Sequence, residues 1–158
     1  MNIEMKGKGI IYPEVMIRGD FGPVRIGRYV CIGSGTIIRP PSYYGSENQH
    51  KFLPIWIGSY TSIGENCIIE SSSIGESVKI GSNVVLGKRS IIKDCVYVES
   101  NTVVPPDMAL PPFSIVSGSP ARISSSRSVP ESALTDFTID ASNLYKSFVE
   151  TLKNRDNL

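Results

Sequence analysis

Few residues of this chain are equipped for acid–base, nucleophilic or metal chemistry. His50 is its single histidine, so a zinc site built from several imidazoles of one chain is excluded. As a general base His50 would need a partner to fix its orientation and hold its proton. Its neighbours Gln49 and Lys51 offer none, and Glu47 is the nearest carboxylate in sequence. The residue therefore reads as an exposed loop histidine. Cys31, Cys67 and Cys95 are odd in number and lack a CxxC spacing, which suits reduced, buried thiols better than a disulfide framework. Arg18-Gly19-Asp20 would be an adhesion tripeptide only in a secreted protein. The stretch Met1 to Gly9 carries charge and glycine where a signal peptide has an apolar run.

The formal charge of +1, from 16 Lys and Arg against 15 Asp and Glu, gives no excess for neutralising a row of phosphates. Nucleic acid is not an expected partner. No apolar run approaches the roughly 20 residues of a spanning helix, so membrane insertion is not expected either. The chain reads as cytoplasmic.

The elements that must position these side chains are set by a repeat. An aliphatic residue followed by Gly recurs every six residues at Ile26, Ile32, Ile57 and Ile63, then after a five-residue step at Ile74, Ile80 and Leu86. The aliphatic beat continues without Gly through Ile92, Val98, Val104, Leu110 and Val116. The fifth position is an independent test. It is small or β-branched at Val30, Thr36, Thr61, Cys67, Val78, Val84, Ser90, Val96, Thr102 and Ser114. The fourth position holds Gly35, Asn66, Asn83, Asn101 or Asp107, types that tolerate positive φ. Neither a helix nor an isolated hairpin has a period of six. Three hexads close one triangular coil of 18 residues, and the first and fifth positions point inward and stack from coil to coil.

This pattern resembles the hexapeptide-repeat, left-handed parallel β-helix family. The resemblance implies an all-β solenoid over residues 1–122, about five coils between Ile11 and Val116, with a core stack of Ile26, Ile32, Ile57, Ile63, Ile74, Ile80, Leu86, Ile92, Val98 and Val104. Residues 40–54, rich in Pro, Tyr and Gly, read as a loop extruded between coils. A Ser-rich connector is expected over 123–139. A helix is expected over 140–154, capped by Asp140, with its stripe Leu144, Phe148 and Leu152, flanked by Val149, packed on the β-helix.

The run IRGDFGPVRIG from Ile17 to Gly27 is similar to the RGD segment of γ-class carbonic anhydrases and their relatives, which implies that Arg18 and Asp20 are structural or subunit-contact residues. The same resemblance carries the three zinc-binding imidazoles onto Arg39, Glu65 and Glu70. A protonated guanidinium cannot ligate zinc, and two carboxylates are poor substitutes for imidazole in such a site. Neither metal nor cofactor is expected, and Arg39 is expected to neutralise Glu65 or Glu70. Many β-helices of this type are homotrimeric acyltransferases, an alternative that would rest on His50, and an inactive γ-carbonic-anhydrase-like protein is the other alternative.

Three further stretches are more specific: RIGRYVCIGSGTIIRPP from Arg25 to Pro41, GKRSIIKDC from Gly87 to Cys95, and the proline-rich close Asn101 to Pro106, Leu110 to Phe113 and Ser117 to Pro120. Together they resemble the family of the 25-kilodalton dynactin subunit, from about Ile17 to Leu152. That resemblance implies a subunit without enzymatic activity in the pointed-end complex of dynactin. Its implied partners are a second β-helical subunit, an actin-related protein, a larger scaffold subunit and dynein cargo adaptors. It also implies roughly 30 more residues of N-terminal sequence, at 18 per coil, than the chain carries before its RGD segment.

Overall fold

The computed structural model describes residues 2–157. Its strands follow the hexad beat and wind as successive coils. The first coil comprises β1 (Ile3–Met5), β2 (Ile10–Ile11) and β3 (Met16–Ile17), and the second β4 (Val24–Ile26), β5 (Cys31–Ile32) and β6 (Ile37–Ile38). A hairpin, β7 (Ser42–Tyr44) and β8 (His50–Phe52), interrupts the winding. The third coil is β9 (Ile55–Ile57), β10 (Ser62–Ile63) and β11 (Ile68–Ile69), and the fourth β12 (Ser73–Ile74), β13 (Lys79–Ile80) and β14 (Val85–Leu86). The fifth is β15 (Ile91–Ile92), β16 (Tyr97–Val98) and β17 (Val103–Val104). Then come β18 (Ala109–Leu110), β19 (Ser114–Ser117), β20 (Arg122–Ser128) and the helix α1 (Ala133–Asp156).

Every third strand joins the same face. The first face runs β1-β4-β9-β12-β15-β18, the second β2-β5-β10-β13-β16-β19-β20, and the third β3-β6-β11-β14-β17. All pairings between coils are parallel, and the register keeps each first-position residue over its counterpart, as in Ile63 over Ile80 and Ile80 over Val98. The alternation of strand side chains then turns one residue of each two-residue strand inward and its neighbour outward. Ile26, Ile32, Ile57, Ile63, Ile74, Ile80, Leu86, Ile92, Val98 and Val104 are buried at no more than 3% exposure.

The fifth-position residues line the corners from inside, and small size there leaves room for hydrogen bonds to the next coil. Thr36 and Thr61 donate from Oγ1 to the carbonyls of Gly64 and Gly75, each at 2.8 Å, and Cys67 Sγ donates to the Gly81 carbonyl at 3.1 Å. Among the described residues no buried side-chain nitrogen or oxygen lacks a partner, so these inward polar groups carry no desolvation debt. The outer side of the corners is tied as well. The Glu76 N–H donates to Asp94 Oδ1 at 2.8 Å and the Ser82 N–H to Ser100 Oγ at 3.0 Å. The fourth position adopts positive φ at Gly35 and at Asn66, Asn83, Asn101 and Asp107, and equally at Tyr29, Tyr60, Ser77, Arg89, Cys95 and Phe113. The ladder imposes the corner conformation whatever the residue type.

Several expectations are corrected. The winding begins at Ile3, ahead of Ile11, because Met5 continues the six-residue beat and β1 pairs with β4. The segment 40–54 is an ordered antiparallel hairpin, with Tyr44 opposite His50. The connector expected over 123–139 holds a strand: β20 pairs antiparallel with β19, contributing backbone while most of its side chains face water. The helix starts at Ala133, seven residues before Asp140, which lies inside it and does not cap it. Leu144 and Leu152 are 43% and 42% exposed and no helix residue is fully buried. The side of the helix over the sheet carries Phe137, Ala141, Leu144 and Tyr145, so of the expected stripe Leu144 reaches it, and Tyr145 meets the Tyr29 ring edge-on at 5.8 Å. The aromatic Tyr145 binds the sheet better than the aliphatic stripe does, because Tyr29 and Tyr60 already form a stacked pair there, 5.4 Å apart. No helix among the described residues is long and apolar enough to cross a membrane.

Candidate functional site

Arg39 follows β6 and Glu70 follows β11, and these strands are adjacent on the third face with Ile38 over Ile69. One further residue along each strand brings the two side chains together. Arg39 Nη2 donates to Glu70 Oε1 at 3.0 Å. The pair is asymmetric: the Glu70 side chain is 13% exposed and that of Arg39 46%, so the cation shields a carboxylate that is mostly withdrawn from water. Glu65 stands apart at the preceding corner, exposed, with its backbone N–H donating to Ser82 Oγ at 3.2 Å. The two Glu positions therefore do not converge with Arg39 on one point. No group of three or more His, Cys, Asp or Glu among the described residues is placed to hold a metal ion.

Arg18 and Asp20 pair with each other, through two hydrogen bonds of 2.9 Å from Nε and Nη2. These bonds hold the Asp20 carboxyl below the usual carboxylate range and raise the Arg18 guanidinium. Arg18 also lies over the Phe21 ring at 4.1 Å, and Phe21 stacks on Phe52 at 5.0 Å. The stack continues through His50, 5.8 Å from Phe52, to Tyr44, 4.5 Å away and edge-on. The imidazole is thus held by aromatic rings. None of the hydrogen bonds among the described residues joins it to a carboxylate, the contact a catalytic His50 would use for orientation.

A second anchor escaped the hexad reading. Arg89 donates to Asp107 from Nε at 2.7 Å and Nη2 at 3.0 Å, and from Nη1 to the Ser42 carbonyl at 2.7 Å. It fastens the base of the hairpin to the coils. The signal for it was present, since positions 89 and 107 are both fourth positions one 18-residue coil apart. Burial pushes the Cys31, Cys67 and Cys95 thiols up, away from the depressed values that activate a catalytic cysteine.

Three parallel faces of two- and three-residue strands, an aliphatic stack and positive-φ corners define a hexapeptide-repeat, left-handed β-helix protein. Solved structures share this fold. A putative acetyltransferase from Bacillus cereus superposes with a TM-score of 0.54 at 17% identity, covering 95% of this chain and 92% of that one. A maltose O-acetyltransferase from Clostridium difficile 630 gives 0.53 at 18% identity, covering 82% and 60%. At such identities the likeness is one of fold alone. The chain belongs to the dynactin subunit 5 family: the family model described as Dynactin subunit 5 matches residues 1–153. A curated Dynactin subunit 5 from Dictyostelium discoideum is 45% identical over 77 residues, 48% of this chain and 37% of that relative. The aligned stretch thus spans little more than a third of the relative's length.

Proposed function

We propose that the chain is a non-enzymatic scaffold subunit of dynactin, placed in its pointed-end complex and supporting dynein-driven transport along microtubules through protein–protein contacts. The observation that carries the reading is the family match over nearly the whole chain. Its partners on this reading are a second β-helical subunit, an actin-related protein, a larger scaffold subunit and dynein cargo adaptors, and its place is the cytoplasm, with the cytoskeleton. The absence of catalysis is supported by the site chemistry. Arg39 and Glu70 are committed to each other where the zinc enzymes carry imidazoles. Arg18 and Asp20 are paired within one segment, with the Asp20 carboxylate mostly exposed and open to a neighbouring subunit.

The test is purification of the tagged chain from its own cells, followed by identification of co-eluting proteins and native mass. Stoichiometric recovery of other dynactin subunits is expected, with no acetyl-CoA binding by calorimetry. A free homotrimer of roughly three times the chain mass that binds acyl-CoA would replace this reading with the acyltransferase one.

A further inference from the structure

Between α1 and the outer side of the second face lies a cleft of about 140 Å³, partly open to solvent. Its floor is made by outward residues of β2 and β5, Ile10 and Cys31, and by the ring of Tyr29 at the adjoining corner. Its roof is Phe137, Ala141 and Tyr145 on α1, positions spaced four apart and therefore on one side of the helix. The lining is mainly aromatic and aliphatic, and its charged groups, Lys8, Lys79 and Asp140, belong to exposed residues. The gap has a local cause. Tyr145 meets Tyr29 on the sheet at 5.8 Å, and one turn before it the helix presents only the single side-chain carbon of Ala141.

An apolar space of roughly 150 Å³ is large enough to hold a benzene-sized molecule. Here the walls are ring faces and edges, and aromatic rings prefer stacked and edge-on neighbours at about 4.5–7 Å. Tyr29 already presents one ring edge-on to Tyr145 at 5.8 Å and one face to Tyr60 at 5.4 Å. We propose that this cavity is a binding site for a small neutral ligand consisting of a single aromatic ring. Occupancy fills the space that Ala141 leaves and ties α1 to the coils. The site is independent of the function proposed above and uses none of its residues.

The test uses the full chain and toluene as the probe. Amide resonances of Tyr29, Cys31, Ala141 and Tyr145 are expected to shift saturably with toluene, while those of the distant hairpin tip, Gly45 and Asn48, stay fixed. Cys31 is a built-in reporter, because Cys67 and Cys95 are buried in the coils. Its reaction with methyl methanethiosulfonate is expected to slow at least fivefold at saturating toluene. Ala141→Leu fills the cavity and is expected to abolish both effects. Should that variant fail to fold, a comparison on the unaltered chain decides: toluene shifts the four amides saturably and methylcyclohexane, which has no ring face or edge to offer the tyrosines, does not. Linear, unsaturable shifts, equal shifts in Ala141→Leu, or methylcyclohexane binding as well as toluene would each overturn the proposal.

Discussion

Ile91 and Ile92 are adjacent, identical in type and on the same two-residue strand, yet one is 36% exposed and the other 1%. Ile92 sits in register between Ile74 and Leu110, and Ile91 between Ser73 and Ala109. Truncation of Ile92 to Ala removes three carbons from the sealed stack, about 2.4 kcal/mol at ~0.8 kcal/mol per carbon. The coils above and below are held by backbone ladders and cannot collapse, so a void of roughly 50 Å³ adds about 1.2 kcal/mol at ~24 cal/mol per Å³. The total is about 3.5 kcal/mol, which for a domain of this size lowers the melting temperature by roughly 7–14 °C. Ile91→Ala loses only partly buried surface beside small neighbours open to water, about 1–1.5 kcal/mol and roughly 2–6 °C. Both variants are to be compared by urea denaturation and by thermal melts followed by circular dichroism. Equal losses, or a larger loss at Ile91, would refute the assignment of the first hexad position to the interior and with it the reasoning from period to fold.

Gly64→Ala places a Cβ 2.6 Å from the backbone carbon and oxygen of Gly81, where neither coil can move aside, and is expected to cost more than about 3 kcal/mol or soluble expression. Gly45→Ala on the hairpin meets the end of Lys51 at 3.4 Å and the Gln49 carbonyl at an ordinary 3.7 Å, and is the near-neutral control in the same expression assay. Arg39→Met strands the mostly withdrawn Glu70 carboxylate and is expected to cost about 1–2 kcal/mol in urea, between an exposed and a buried pair. The double variant Arg39→Met/Glu70→Leu recovers most of that loss, and additive losses would show that the pair is uncoupled. Arg89 holds the Asp107 carboxyl below its ordinary 3.8. A lowered folded-state value gives stability that is complete above the ordinary value and lost as pH falls through the folded one. The acid limb of the parent chain is therefore expected to be steeper below about pH 4 than that of Asp107→Asn. Superimposable limbs by circular dichroism would remove the pair from the account.

The coils were legible because their interior is periodic: Ile63, Ile80 and Val98 recur where a buried stack requires them. What the pattern could not report lies where nothing is buried. Arg122–Ser128 has no apolar alternation because β20 is held by backbone bonds to β19 and by the ion pair of Arg127 with Glu99 at 3.0 Å, and not by apolar burial. The first turns of α1, with Thr135, Thr138 and Ile139, are poor in strong helix formers, so Asp140 looked like a cap. Tyr29 and Tyr60 gave no hint of a corner, because Tyr has no preference for positive φ and is held there by the ladder. The site was legible in part. Arg39 and Glu70 follow from coil register, whereas the ring stack from Phe21 to Tyr44 depends on a hairpin whose fold no hexad encodes.

The reversal at β20 bears on how copies of the molecule meet. A solenoid built of parallel rungs is a screw that a second copy, set head to tail, can lengthen without limit. Here the thread is spoiled on all three sides of one end. On the second face the last rung runs backwards; on the third, β17 is already covered by bonds with Gly118 and Ala121. Beyond β18 the chain turns through Pro111 and Pro112, which have no N–H to offer. The molecule is thereby a terminus: coils accumulate up to this point and polymer growth in that direction stops.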